Sequence, residues 1–141
     1  LNIKLLTDTA KVPYRGSAAA AGYDIYADET IMILPGEVSK VHTGIATELP
    51  EGTFAGIYPR SGLATKNGLR LANCVAVIDS DYRGEWLVPI YNDSSSPQII
   101  SKGDRIAQMV IHKYETVDFN VVDKLNDTIR GAGGFNSTGI R

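Results

Sequence analysis

Residues that bind metals or form disulfides are scarce in this chain of 141 residues: one cysteine and two histidines. Cys74 alone cannot close an intramolecular disulfide. Nothing therefore calls for an oxidising compartment, and an intracellular, cytoplasmic protein is the expectation. A structural zinc site takes four Cys or His ligands, and Cys74, His42 and His112 are all the chain offers, at no metal-ligand spacing. No G-x-S-x-G elbow and no G-x-x-x-x-G-K-[ST] phosphate loop occurs. With so few histidines, the chemistry is expected to run on carboxylates. No apolar run approaches the roughly 18–20 residues of a membrane helix, and no basic, apolar, small-residue leader is visible, so neither a span nor a secretory leader is expected. An excess of positive charge is missing too. Fourteen Lys and Arg against 16 Asp and Glu leave a formal net charge of −2, which argues against broad binding of nucleic-acid backbone.

What is present suits one domain able to bury its own core, with 43% hydrophobic residues. Short apolar or alternating segments recur at Ile3–Leu6, Tyr23–Ala27, Ile31–Leu34, Val38–His42, Ile45–Leu49, Phe54–Tyr58, Cys74–Ile78, Trp86–Tyr91, Ile106–His112 and Phe119–Val122. Turn signals separate them: Pro35-Gly36, Pro50-Glu51-Gly52, Asp93 to Pro97 and Lys102-Gly103-Asp104. Many short strands without a long 3.6-residue period predict an all-β sandwich or barrel. One short helix is expected after Ser61, with Ser61 as its N-cap and Gly68 as its left-handed stop. Cys74 reads as a small core residue and His42 as an outward strand position. Three N-x-[ST] matches, at Asn92, Asn126 and Asn136, read as compositional accidents without secretory context.

Three stretches could carry chemistry. In Asn73-Cys74-Val75-Ala76-Val77-Ile78-Asp79-Ser80-Asp81-Tyr82-Arg83-Gly84-Glu85 an apolar strand ends in a carboxylate, and a second strand follows a polar turn. Read as a hairpin, this puts Asp79 at the end of a buried strand, where hydrogen bonding can tune it as a base. Asn73, at the start of that strand, could read a polar ligand edge. Asp79 and Asp81 are equally well explained as turn formers. Pro59-Arg60-Ser61-Gly62 sets a cation, a hydroxyl and a glycine at a helix start, the ingredients of a phosphate site, or simply a Ser cap beside a solvated arginine. Asp24 could meet a metal shell or an arginine, and Gln108 interrupts an apolar strand. From Arg130 onward the composition turns to glycine, hydroxyls and one aromatic. Such a tail either is a solvated terminus or wraps an anion with backbone N–H groups. Physical reasoning thus reaches a β-rich binder of something phosphorylated with a carboxylate poised for hydrolysis.

Five stretches in order also resemble one family, the trimeric dUTPases, over essentially the whole chain. They are Ala21-Gly22-Tyr23-Asp24-Ile25-Tyr26-Ala27; Pro59-Arg60-Ser61-Gly62-Leu63-Ala64; Val77 to Glu85; Gly103-Asp104-Arg105-Ile106-Ala107-Gln108; and Arg130 to Gly139. The resemblance implies a homotrimer of distorted jelly-roll (β-clip) subunits with one short helix and active sites shared between subunits. Residues 1–129 would form the core and 130–141 an arm closing over a site. It implies hydrolysis of dUTP to dUMP and pyrophosphate with Mg2+, which keeps uracil out of DNA and supplies dUMP for dTTP synthesis. By the same analogy, Asp79 activates the water that attacks the α-phosphorus. Asn73 and the backbone of Ala76, Val77 and Ile78 read uracil, and Tyr82 lies against the deoxyribose. Arg60, Ser61, Gly62 and Gln108 clamp phosphates from a neighbouring subunit. Asp24 acts near the metal through water, the ion being held mainly by the triphosphate. In the tail, Phe135 stacks on uracil beside Asn136, while Arg130, Ser137 and Thr138 reach the phosphates. The sequence departs from the family pattern at Ala76 and Asn136, where Gly is usual, and at Tyr58, where a small residue is usual. Two other functions are carried as alternatives: a dCTP deaminase-like enzyme and a nucleotide-switched regulator that binds a partner protein.

Overall fold

The computed structural model describes residues 1–134. Eleven strands and one helix follow in order: β1 (Asn2–Leu5), β2 (Tyr23–Tyr26), β3 (Ile31–Ile33), β4 (Val38–His42), β5 (Ile45–Glu48), β6 (Thr53–Tyr58), α1 (Ser61–Asn67), β7 (Leu69–Leu71), β8 (Ala76–Ile78), β9 (Leu87–Asn92), β10 (Gln98–Ile100) and β11 (Arg105–Lys113). All pairings are antiparallel. A four-stranded sheet runs β2-β11-β6-β8 and a three-stranded sheet β4-β9-β7, with the pairs β1-β5 and β3-β10 beside them. This is the expected distorted jelly-roll with a single short helix.

Alternation along the strands decides what is buried. Ile25, Ala55, Ile57, Ala107 and Met109 from the four-stranded sheet meet Val41, Leu69, Leu71, Val88 and Ile90 from the three-stranded one in a single apolar cluster. Such period-two patterns bury one face of each strand and leave the other free for polar work. Trp86 is fully buried just ahead of β9.

Asn92 is the main polar element of the interior. Its side chain is 0% exposed, and its amide donates to the carbonyls of Ile33 and Ser96, both at 2.9 Å. Its carbonyl accepts from Ser94 N–H at 2.9 Å and Ser94 Oγ at 2.7 Å. Every hydrogen-bonding position of the amide is used, and its burial leaves no room for a glycan in the folded chain. Asn92→Leu would strand the Ile33 carbonyl and the Ser94 N–H, whereas the exposed Ser96 carbonyl keeps the Ser94 hydroxyl as a donor. At about 1–3 kcal/mol for each unsatisfied buried group, the substitution should cost roughly 2 kcal/mol or more. The check is the urea midpoint, which should fall clearly; an unchanged midpoint would mean these groups find other partners.

Several sequence expectations are corrected. Leu69–Leu71 and Gln98–Ile100 are strands that the apolar pattern did not announce, because three residues carry too little alternation to register. Phe119–Val122 forms no strand, and Phe119 and Val121 are more than nine-tenths exposed. Cys74 is exposed, not core, and takes a left-handed φ of 62° in the turn before β8. Asn73 lies in that turn and does not begin the strand. The helix starts one residue earlier than expected. Arg60 is the N-cap, with extended backbone and no side-chain capping bond, and Ser61 is the first helical residue. Gly68 does terminate it, at φ +64°, donating to the carbonyls of Ala64 and Leu63.

Candidate active site

The expected hairpin between residues 74–78 and 86–91 does not form. β8 pairs with β6 (Ala55↔Ile78, Gly56↔Val77, Ile57↔Ala76), whereas β9 joins β4 and β7. The two strands enter different sheets, so residues 79–86 bridge between layers. Burial is also less than expected, since Val77 and Asp79 are exposed and Ala76 and Ile78 are half-buried. β8 is the end strand of its sheet, and among the described residues no strand pairs with its outer edge. Its outer N–H and C=O groups are therefore available to a ligand.

Internal bonds shape the bridge. Tyr82 N–H donates to the Asp79 carbonyl at 3.2 Å, Tyr82 Oη donates to the Glu85 carbonyl at 3.0 Å, and the Arg83 guanidinium donates to the Ser80 carbonyl at 2.7 Å. Aspartates that merely form turns usually accept from nearby backbone N–H groups. The Asp79 carboxylate makes no hydrogen bond or ion pair among the described residues, and it opens onto a cavity of about 210 Å³ lined by Val77, Ile78, Asp79, Tyr82, Glu85 and Leu87.

A second constellation lies where α1 begins. Arg60, at the end of the extended segment after β6, sends Nε to Asp24 Oδ1 at 3.0 Å and donates to the Arg105 carbonyl at 3.1 Å. Arg105 Nη1 reaches Asp24 Oδ2 at 3.2 Å. Asp24, 16% exposed at the side chain, thus holds two guanidiniums with its two oxygens. The pairing of β2 with β11, Gln108↔Asp24, brings them together. Gln108 Nε2 donates to the Pro59 carbonyl at 3.0 Å and fixes the backbone just ahead of Arg60. Ser61 and Gly62 are exposed in the first helical turn. Arg60 and Arg105, with Asp104, line a polar cavity of about 280 Å³. It shares no lining residue with the cavity at Asp79.

Asp24, Arg60, Ser61, Gly62 and Gln108 are therefore gathered into one region and Val77, Ile78, Asp79 and Tyr82 into another. Asn73 and Ala76 lie on the approach to the second but do not line its cavity. Arg130 is exposed and donates to the Gly133 carbonyl at 2.9 Å; Phe135, Asn136, Ser137 and Thr138 lie outside the described residues. Arg105 has no role in the sequence reading, although it lies within the fourth quoted stretch. Only the strand register brings it to Asp24, and nothing local announces that.

Magnesium was expected, and the donors bear on how it could be held. Both oxygens of Asp24 face guanidiniums, and among the described residues no three His, Cys, Asp or Glu side chains cluster as a metal cage. Such a donor set suits an ion that arrives on a triphosphate, coordinated by phosphate oxygens and water.

The dUTPase family model matches residues 8–139. The deoxyuridine 5'-triphosphate nucleotidohydrolase of Paramecium bursaria Chlorella virus 1 is 48% identical over 140 residues, covering 99% of this chain and 98% of the viral protein. The enzyme of the same name from Desulfitobacterium hafniense is 50% identical over 133 residues, covering 92% and 88% of the two chains. Among solved structures, a glycine-to-serine mutant of the Staphylococcus bacteriophage 80alpha dUTPase with dUpNHpp superposes with a TM-score of 0.92 at 29% identity, covering 99% and 98%. Sequence matches along nearly the full length and a shared fold agree with the gathered motif residues: the chain belongs to the dUTPase family.

Proposed function

We propose that this chain hydrolyses dUTP to dUMP and pyrophosphate, with three sites in a homotrimer, each built from the Asp79 cavity of one subunit and the Arg60 region of another. The observation that carries the reading is the Asp79 carboxylate, which bonds no partner among the described residues and is exposed beside Tyr82 just past the end of β8. In this reading Asp79 takes a proton from water as the water oxygen bonds the α-phosphorus. The bond from that phosphorus to the α–β bridging oxygen breaks, and pyrophosphate leaves. The base lies along β8, whose free backbone groups, with Asn73, match the donor and acceptor edge of uracil, and the methyl of Ala76 narrows that approach. Tyr82, tied to the Glu85 carbonyl, leaves no space for a 2′-hydroxyl.

Arg60, Ser61, Gly62 and Gln108 take the phosphates, with Arg105 adding a second cation oriented by Asp24. A magnesium ion on the triphosphate would neutralise phosphate charge, and Asp24, occupied by two arginines, would meet it only through water. Residues 130–141 form the closing arm, in which Phe135 stacks on uracil next to Asn136 while Arg130, Ser137 and Thr138 add phosphate contacts. The separation of the two cavities within one chain supports a site shared between subunits.

Pyrophosphate release measured with magnesium across dUTP, dTTP, dCTP and UTP tests the reading, with dCTP also assayed for deamination. dUTP should be cleaved far faster than the others. Comparable turnover of UTP or dTTP, or deamination of dCTP, would overturn it.

A further inference from the structure

We propose that Glu85, gripped by the link His42-Thr43-Gly44, is a positioning residue for the bridge that carries Asp79 and Tyr82, and that protonation of His42 sets how tightly this clasp holds. The inference rests on reading that bridge as the nucleoside site.

Four contacts make the grip. Glu85 Oε2 lies 2.9 Å from His42 Nδ1, and Glu85 Oε1 accepts the Gly44 N–H at 2.9 Å. Thr43 Oγ1 donates to the Trp86 carbonyl at 2.6 Å, and Trp86 N–H donates to the Ile45 carbonyl at 2.9 Å. Gly44 is required there: at φ +66° a Cβ would come within 2.8 Å of Asp28 Oδ2. The other side of Glu85 faces the site, since its carbonyl receives the Tyr82 hydroxyl and the residue is among those lining the cavity that Asp79 opens onto. One residue thus joins the scaffold to the tyrosine expected to exclude a 2′-hydroxyl.

The groups facing His42 are mostly negative. Glu85 comes from the bridge, and Glu29, from the β2–β3 connection, accepts the His42 backbone N–H at 2.8 Å. Asp28, on the same connection, is buried behind, with Lys102 Nζ 4.0 Å away as the nearby cation. From β9, the residue opposite is apolar Leu87. The hydrogen bond to Glu85 raises the His42 pKa above its ordinary value of 6.5; partial desolvation opposes this, and the charges of Glu85, Glu29 and Asp28 add to the rise. The folded state therefore favours the imidazolium. The clasp is at full strength below pH 6.5 and weakens as pH rises through the higher folded value. The side chains are 54% and 26% exposed, so solvent limits the effect to about fivefold or less.

Trp86, the only tryptophan, adjoins Glu85 and reports on the clasp independently of turnover. Its emission, together with KM for dUTP and the dUTP/UTP selectivity, should be followed from pH 6 to 9 in the full-length protein. Wild type should show an emission transition centred above pH 6.5, with KM rising and selectivity falling over the same range by up to about fivefold. His42→Arg, a fixed cation, should keep the low-pH KM throughout. His42→Gln should show the high-pH KM throughout and no transition. The side chain at position 42 is largely exposed, so both variants should stay folded, with melting temperatures within a few degrees of wild type and His42→Gln the lower at acidic pH. Superimposable KM and emission profiles for the three proteins would overturn the clasp while leaving the catalytic reading intact. A fully active Asp79→Asn would remove the reading on which the clasp's role rests, whatever Trp86 reports.

Discussion

Asp79→Asn should lower kcat for dUTP by about 10²–10⁴-fold, the span expected for loss of a general base, and barely change stability or nucleotide affinity. The substitution keeps size and a hydrogen-bonding oxygen but removes the proton acceptor. Asp79 is exposed and its carboxylate bonds nothing among the described residues, so no structural contact is lost. The bond that does involve this residue, from Tyr82 N–H to the Asp79 carbonyl, belongs to the backbone and survives the change. Exposed substitutions of this kind usually stay within about 0.5 kcal/mol, so the unfolding midpoint should hold. Steady-state kinetics, with titration of a non-hydrolysable dUTP analogue, separates the outcomes. Near-normal kcat would make Asp79 a turn residue; lost affinity with kcat preserved would make it a ligand contact instead of a base.

The sequence made the family legible because five short stretches keep their order and residue types, and it made the fold class legible through dense turn signals between short apolar runs. The connections between distant elements were not legible. The run from Asn73 to Tyr91 reads locally as a hairpin, since two apolar segments flank a polar turn. Pairing of β8 with β6 instead is decided by the sheet as a whole and by the burial of Trp86 between the layers. The same limit hides Arg105. Beside Ile106 it reads as a solvated strand-end cation, and only the β2–β11 register sets it against Asp24. His42 and Glu85 are separated by 43 residues, and an outward histidine with a loop glutamate carries no local sign of being a pair. Phe119–Val122 fails in the opposite sense, its alternation mimicking a strand where no neighbouring strand pairs with it among the described residues.

Mixing two inactive variants should restore activity. Arg60→Gln keeps the length and polarity of the side chain while removing the charge expected to meet the phosphates, and Asp24 retains Arg105 as a partner. Arg60→Gln and Asp79→Asn homotrimers should each be strongly impaired, because every site lacks either a clamp or a base. In trimers formed by co-refolding equal amounts, a site is intact when its base comes from an Arg60→Gln subunit and its clamp from an Asp79→Asn subunit. Random assembly gives that combination in about a quarter of sites, so turnover should recover to roughly a quarter of wild type. If base and clamp act within one chain, each site in the mixture lacks one of them, and activity stays at the average of the two parents. The two cavities share no residue, and a triphosphate substrate needs both a base at its α-phosphorus and cations along its phosphates. Light scattering should give a mass near three times 15.2 kDa for each variant and for the mixture, which keeps failed assembly from passing as failed complementation.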